Sequence, residues 1–259
     1  MEMNDFGHEK LPLRSLREQY DAISSSLSYT LNLRFRAFLY QLYYIQNIKK
    51  SLQKKYSTDK IGWSMVDIWC GTWAKTKYLL DNLRQHCSDT LYAIDISPQM
   101  LTQARDFLLD YSHVACIEWD IIHWDAMQVL VGKNVQWVFL NQVLHHYGKK
   151  DISIFLEKLY ATIEPGCLVS ILDWMYLWDS ATLIDRMKMN IYKTLVNLYE
   201  QYKWWPNSFH HLTYADMIEM LQKVGFEVDM QYTKNFFVPL KRFTNYSNTY
   251  QLIAYKPKL

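Results

Sequence analysis

Short apolar runs that contain or lead into Asp or Asn recur along this 259-residue chain. Met65–Trp69 carries Asp67 and Leu91–Ile96 carries Asp95. Val114–Trp119 leads into Asp120, Val135–Leu140 into Asn141, and Cys167–Leu172 into Asp173. Runs this short and this apolar suit strands buried on both faces. Amphipathic stretches lie between them. Ser97-Pro98 reads as an N-cap followed by proline in the first turn, and Met100, Leu101, Ala104, Phe107 and Leu108 form a stripe at helical spacing. Asp151 opens a helix that turns Ile152, Phe155, Leu156, Leu159 and Ile163 inward. Thr213-x-x-Asp216 opens another that stops at Gly225. Phe226–Tyr232 and Tyr250–Lys256 read as the last two strands. Alternation of this kind predicts a mostly parallel sheet covered by helices on both faces. Such sheets bind ligands outside the carboxyl ends of their strands, which is where the row of Asp and Asn residues falls.

The rest of the chain frames this domain. Residues 1–60 are charged and tyrosine-rich, with dense apolar positions from Leu31 to Ile48, and predict a helical cap. Residues 61–259 form the main domain, and residues 175–210, helical in pattern and rich in Met, Tyr and Trp, read as a lid inserted above the sheet. A net charge of +2 argues against a general nucleic-acid binder. The cluster Lys49, Lys50, Lys54, Lys55 reads as a solvated helix end. Cys70, Cys87, Cys116 and Cys167 form no C-x-x-C pair, so reduced thiols are expected, without a zinc or redox-dithiol site. The polar N-terminal residues lack the apolar core of a signal peptide, and no run reaches the ~18 residues that span a bilayer. The expectation is a cytoplasmic protein without a membrane or nucleic-acid partner.

The turn after the first strand carries the most information. Asp67-Ile68-Trp69-Cys70-Gly71-Thr72-Trp73 has the form of a nucleotide-cradling D-x-G-x-G-x-G turn with tryptophan at two of its three glycine positions. Glycine lets such a turn lie against a ligand.

In order along the chain, this turn is followed by Ala93-Ile94-Asp95-Ile96-Ser97-Pro98-Gln99-Met100-Leu101, Glu118-Trp119-Asp120-Ile121 and Asn141-Gln142-Val143-Leu144-His145-His146. The turn Ile163-Glu164-Pro165-Gly166 and the segment Leu212-Thr213 to Val224-Gly225-Phe226 complete the set. Together they resemble the class I S-adenosylmethionine-dependent methyltransferases over about residues 60–257. The resemblance implies a Rossmann-like sheet of seven strands with the last antiparallel, and S-adenosylmethionine as cofactor. It also implies roles. Asp67 would fix the turn and help hold the cofactor ammonium, with Cys70 and Gly71 in the turn itself. Asp95 would accept from the ribose hydroxyls. Ile96 and Met100 would pack on adenine, Asp120 would accept from its amino group with Ile121 beside the ring, and Asn141 would line the methionine end. A lone Asp after a strand also serves as a turn or cap residue, although Ser97 already supplies the cap after Asp95. Adjacent His145 and His146 cannot share a helix face and have no third ligand at zinc-like spacing; no metal is expected, and the pair reads as pocket or structure.

The leading function is methyl transfer to a small-molecule acceptor enclosed by cap and lid. No residue is assigned as catalytic; His146, Tyr147 and Asp173 are within reach if a base is needed. The alternative is a methyltransferase-like protein that binds a ligand or partner without transferring methyl groups. A nicotinamide enzyme would want G-x-G-x-x-G, which the chain lacks. Trp69, Trp73 and Trp119 stand where the family has or often has glycine. The chain has 10 tryptophans and only 7 glycines, where average usage gives roughly 18 glycines. Either the site is dead, or the rings turn aside from it, or UGA codons that specify glycine have been read as tryptophan.

Overall fold

The computed structural model describes residues 17, 18, 20, 21, 44–51, 63–71, 74–83, 90–119, 130–175, 213–235 and 248–258. Thr72, Trp73, Asp120, Ile121, the expected lid beyond Met175 and most of the expected cap lie outside them. Seven strands form one sheet: β1 (Ser64–Ile68), β2 (Leu91–Asp95), β3 (Val114–Glu118), β4 (Val135–Asn141), β5 (Leu168–Met175), β6 (Glu227–Asn235) and β7 (Asn248–Tyr255). Their order is β3-β2-β1-β4-β5-β7-β6. The pairs among β1 to β5 are parallel, and β7 runs antiparallel to both β5 and β6. This is the expected seven-strand Rossmann-like sheet with an antiparallel last strand.

Both faces of the sheet are covered. Helices α1 (Ala74–Leu83) and α2 (Pro98–Phe107) lie in one apolar layer through Leu79, Leu80, Leu101 and Ala104, which join Met65, Ala93, Trp137 and Phe139 from the sheet. Tyr44, Ile45 and Ile48, from the helical residues 44–51, complete that layer. Helices α3 (Lys149–Thr162) and α4 (Tyr214–Val224) cover the other face with Phe155, Leu156, Leu159, Met217 and Leu221. Every residue of β1 is buried, as its continuous apolar run requires.

Local signals set the helix ends. The Ser97 side chain accepts from the Met100 N–H at 3.1 Å, with Pro98 at the first turn of α2. Thr213 and Asp216 close the reciprocal capping box of α4. Gly225 ends that helix in the left-handed region at φ 108°. Several boundaries differ from the sequence reading, two of them for a clear physical reason. Helix α3 starts at Lys149 rather than Asp151, which places Asp151 inside the first turn, where a carboxylate favours the helix dipole. Strand β5 runs on to Met175 because β7 keeps pairing with it as far as Met175 opposite Asn248. Asp173 therefore lies inside the strand rather than just past its end.

Among the described residues no helix is long and apolar enough to cross a membrane, and no cluster of three metal-ligating side chains occurs. Gly225→Ala should destabilise the fold by about 1–2 kcal/mol, since an added Cβ meets the Tyr160 ring at 3.1 Å and the backbone is left-handed. Urea unfolding measures this, and an unchanged midpoint would contradict it.

Candidate active site

The carboxyl ends of β1, β2 and β4 meet at one edge, and the turn after β1 lies across them. The N–H groups of Trp69 and Cys70 both donate to the Ile94 carbonyl, at 2.7 and 2.9 Å, which folds the turn onto β2. Gly71 follows at φ 61°, and its N–H donates to Asp95 Oδ2 at 2.8 Å. The other Asp95 oxygen accepts the Ser97 N–H at 2.9 Å. One buried carboxylate thus holds the turn and the entrance to α2. A Cβ added at Gly71 would meet no atom of the described residues within 4 Å, so among them the middle of the turn faces open space.

A second carboxylate joins three elements. Asp67, 1 % exposed in β1, accepts from Thr76 Oγ1 of α1 at 2.7 Å and from Asn141 Nδ2 of β4 at 3.3 Å. Asn141 Oδ1 is buried and has no hydrogen-bond partner among the described residues. A buried acceptor left open beside a carboxylate suits a cationic donor, such as the ammonium of a bound amino-acid group. With the open space at Gly71, it makes these residues fit S-adenosylmethionine. Burial raises the Asp95 carboxyl to about 7, against the hydrogen bonds from Ser97 and Gly71. Burial likewise raises Asp67 to about 6, opposed by Thr76, Lys75 and Asn141.

Of the residues expected in the site, Asp67, Cys70, Gly71, Asp95, Ile96 and Asn141 lie along this edge. Met100 is fully buried in α2, its N–H held by the Ser97 cap. Asp120 and Ile121 lie outside the described residues. The Trp119 N–H nevertheless donates to the Asp95 carbonyl at 2.8 Å, which brings the end of β3 to the same edge.

Sequence reasoning missed several partners. Asp173 Oδ1 pairs with His145 Nδ1 at 2.6 Å, while its Oδ2 accepts the N–H groups of Leu144 and His145 at 2.8 and 3.2 Å. Asp173 thereby holds the short 3-10 turn Leu144–His146, and these three contacts use both its oxygens. His146 Nε2 meets the Tyr20 hydroxyl at 2.8 Å. Asp21 accepts a short hydrogen bond from Ser97 Oγ, and Arg17 pairs with Glu118 at 2.7 Å. Lys75 Nζ donates to Gln142 Oε1 at 3.0 Å. No motif in the sequence marks Tyr20, Lys75 or Thr76.

Trp69 decides whether the site is open. Its φ is 68°, the left-handed region where a bulky residue is an outlier and glycine is at ease. The indole is buried, stacked on His146 with centroids 5.6 Å apart, and edge-on to Tyr20 and Tyr147 at 5.4 and 6.0 Å. The ring fills the space between the turn and the end of β4. It reaches the 3-10 turn that follows Asn141, on the side where the resemblance puts the methionine end of the cofactor.

Two predictions follow from this geometry. Both raised carboxyls bind protons more tightly in the folded chain than in the unfolded one. Their stabilising contribution is complete below the ordinary value of 3.8 and is lost as pH rises through about 6 for Asp67 and about 7 for Asp95. In thermal melts without ligand, Asp95→Asn should therefore gain on the parent protein as pH rises from 4 to 8; a pH-independent difference would contradict this. The second prediction concerns the indole. The ring packs on the side where the resemblance puts the methionine end of the cofactor, so the chain should bind S-adenosylmethionine weakly, and Trp69→Gly with Trp73→Gly should tighten binding about tenfold or more. The sequence alone suggests that these glycines improve stability or barely harm it, if the large rings strain the turn. The buried stack on His146 reverses this for Trp69: lost packing outweighs relieved strain, for a net loss of about 1–4 kcal/mol. Tighter cofactor binding by the parent chain than by the glycine form would make Trp69 a genuine ligand contact. The gene decides the origin of the residue, since UGA at codons 69 and 73 marks glycine read as tryptophan and UGG excludes it.

Known proteins share this architecture. Residues 66–169 match the family model described as methyltransferase domain. Over 133 residues the chain is 28 % identical to the carboxy-S-adenosyl-L-methionine synthase of Chromohalobacter salexigens, covering 49 % of this chain and 47 % of the relative. The chain thus spans about half the length of the curated relative it matches. A chain of the complex containing the Haloferax volcanii Trm112 methyltransferase activator superposes with a TM-score of 0.60 at 14 % identity, over 92 % of this chain and 98 % of that one. An N-methyltransferase of Haemonchus contortus, bound to phosphomonomethylethanolamine and S-adenosylhomocysteine, gives a TM-score of 0.58 at 15 % identity, over 92 % of this chain and 61 % of that one. At such identities the two structures speak for the fold. With the family match running from β1 to the start of β5, residues 66–169 resemble a methyltransferase domain, and the sheet has the Rossmann-like fold of these solved methyltransferase neighbours.

Proposed function

We propose that this protein transfers a methyl group from S-adenosylmethionine to a small-molecule acceptor. The observation that carries the reading is the pair of buried carboxylates at neighbouring strand ends, Asp67 beside the open Asn141 acceptor and Asp95 beside the turn. The cofactor supplies a methyl group made electrophilic by the adjoining sulfonium. Asp95 would receive the ribose hydroxyls. Asp67 and Asn141 Oδ1 would receive the ammonium, with Cys70 and Gly71 lining the turn, Ile96 and Met100 beside adenine, and Asp120 and Ile121 closing its far side. Catalysis in such a site comes mainly from holding donor and acceptor in line and from a field matched to the loss of the positive charge.

His146 is the candidate to take a proton from the acceptor. Its Nε2 shares a hydrogen bond with Tyr20, which gives a proton a second place to reside. Asp173 is less suited, because both its oxygens already hold the turn that carries His146. A small acceptor agrees with the crowding by Tyr20, His146 and Tyr147 after the end of β4.

The test is calorimetric titration of S-adenosylmethionine into the Trp69→Gly form, with and without Asp95→Ala. Loss of the acceptor for buried hydroxyls should weaken binding by about 1–3 kcal/mol. An unchanged dissociation constant removes Asp95 from the site. No binding to the Trp69→Gly form removes the cofactor itself.

A further inference from the structure

We propose that the nucleoside end of the site is proton-linked: without cofactor the protein carries a proton on Asp95, and the arriving ribose hydroxyls displace it to solvent. The inference rests on the cofactor reading above and adds a pH control to it. Asp95 is 1 % exposed, and its hydrogen-bond donors are neutral backbone groups, Gly71 N–H on Oδ2 and Ser97 N–H on Oδ1. Among the described residues no cation stands at ion-pair distance from it. The charged and titratable groups around it are acidic or already engaged. Asp67 faces it from β1, since the two carboxyls lie two residues beyond Met65 and Ala93 on the same sheet face. The Cys70 thiol is buried in the turn. In β3, Cys116 lies opposite Ala93 and Glu118 opposite Asp95, and Glu118 pairs with Arg17. At the start of α2, Asp21 accepts from the Ser97 hydroxyl. Lys75 of α1 is bonded to Gln142 Oε1 and acts on Asp67 through space.

Two buried carboxyls facing each other hold one negative charge more readily than two. Burial, with the Asp67 charge adding to it, brings Asp95 to about 7, while Asp67 stands lower, at about 6. The proton therefore resides on Asp95 first. The bound state needs the opposite form. A carboxylate offers about four lone pairs. Gly71 and Ser97 occupy one on each oxygen, and the remainder suits the two ribose hydroxyls. A proton on either oxygen takes up one of those places and turns an acceptor into a donor, so one hydroxyl is left without a partner. The ribose thus selects the ionised carboxylate, and the proton leaves to solvent.

The probe is 5′-methylthioadenosine, which carries the ribose and adenine without any group that ionises between pH 6 and 8. It is titrated by calorimetry into the Trp69→Gly form, in buffers of small and of large ionisation enthalpy. The expected result is a dissociation constant about tenfold higher at pH 6 than at pH 8, with about one proton released per nucleoside at pH 6 and almost none at pH 8. Asp95→Asn in that form imitates the protonated group, and should bind weakly at both pH values and release no proton. Asp67→Asn removes the neighbouring charge and should move the pH dependence to lower pH. Binding that is independent of pH and releases no proton overturns the proposal while the cofactor reading stands. Proton release that persists in Asp95→Asn places the proton on another group and overturns it as well. The parent chain gives a reading without ligand: its infrared spectrum should show a protonated buried carboxyl that ionises at about 7 and is missing from Asp95→Asn. Absence of that band from the parent chain overturns the proposal. If the band is present and the nucleoside does not bind, the cofactor reading falls, and the proposed release falls with it.

Discussion

The buried carboxylate of Asp95 holds the candidate site together. It sits at the end of β2, accepts Gly71 N–H from the β1 turn and Ser97 N–H from the start of α2, and so fixes two chain segments with one side chain. Desolvation raises its pKa to about 7, and the two backbone donors offset only part of that. A side chain that costs this much to bury unliganded gains most when further donors arrive. Ribose hydroxyls are such donors, and the same logic applies to Asp67 and a ligand ammonium.

Much of this was legible in the sequence. Asp67, Asp95 and Asn141 could be placed at one edge because each lies late in an apolar run or just after it, and parallel topology brings such ends together. Ser97 and Thr213 could be read as caps because capping depends on residues three apart. The partners that orient the site could not. Tyr20 and His146 are 126 residues apart, Lys75 and Gln142 are 67 apart, and His145 and Asp173 are 28 apart. Such pairings depend on side-chain direction after the sheet has formed, and no local pattern encodes them. The end of β5 was misplaced for a related reason, since antiparallel pairing with β7 extends the strand past Asp173.

Trp69 is where local and global demands conflict. The turn keeps the backbone of a glycine, with φ at 68°, while its side chain packs as a core residue against His146, Tyr147 and Tyr20. A sequence selected for one structure is expected to agree with itself at both levels. Disagreement at one residue, in the turn on which the family's binding site depends, marks either a site that has changed its use or a residue that is not tryptophan in the natural protein. The left-handed backbone favours glycine, and two residues on, the Gly71 N–H donates to Asp95.

The central claim is that the strand-end carboxylates receive the ribose and the amino-acid ammonium of S-adenosylmethionine. A crystal structure of the Trp69→Gly form grown with S-adenosylhomocysteine tests it most directly. The account predicts ribose hydroxyls within hydrogen-bond distance of Asp95 and the ligand ammonium between Asp67 and Asn141 Oδ1. A ligand bound elsewhere, or bound here with its ribose away from Asp95, would contradict it.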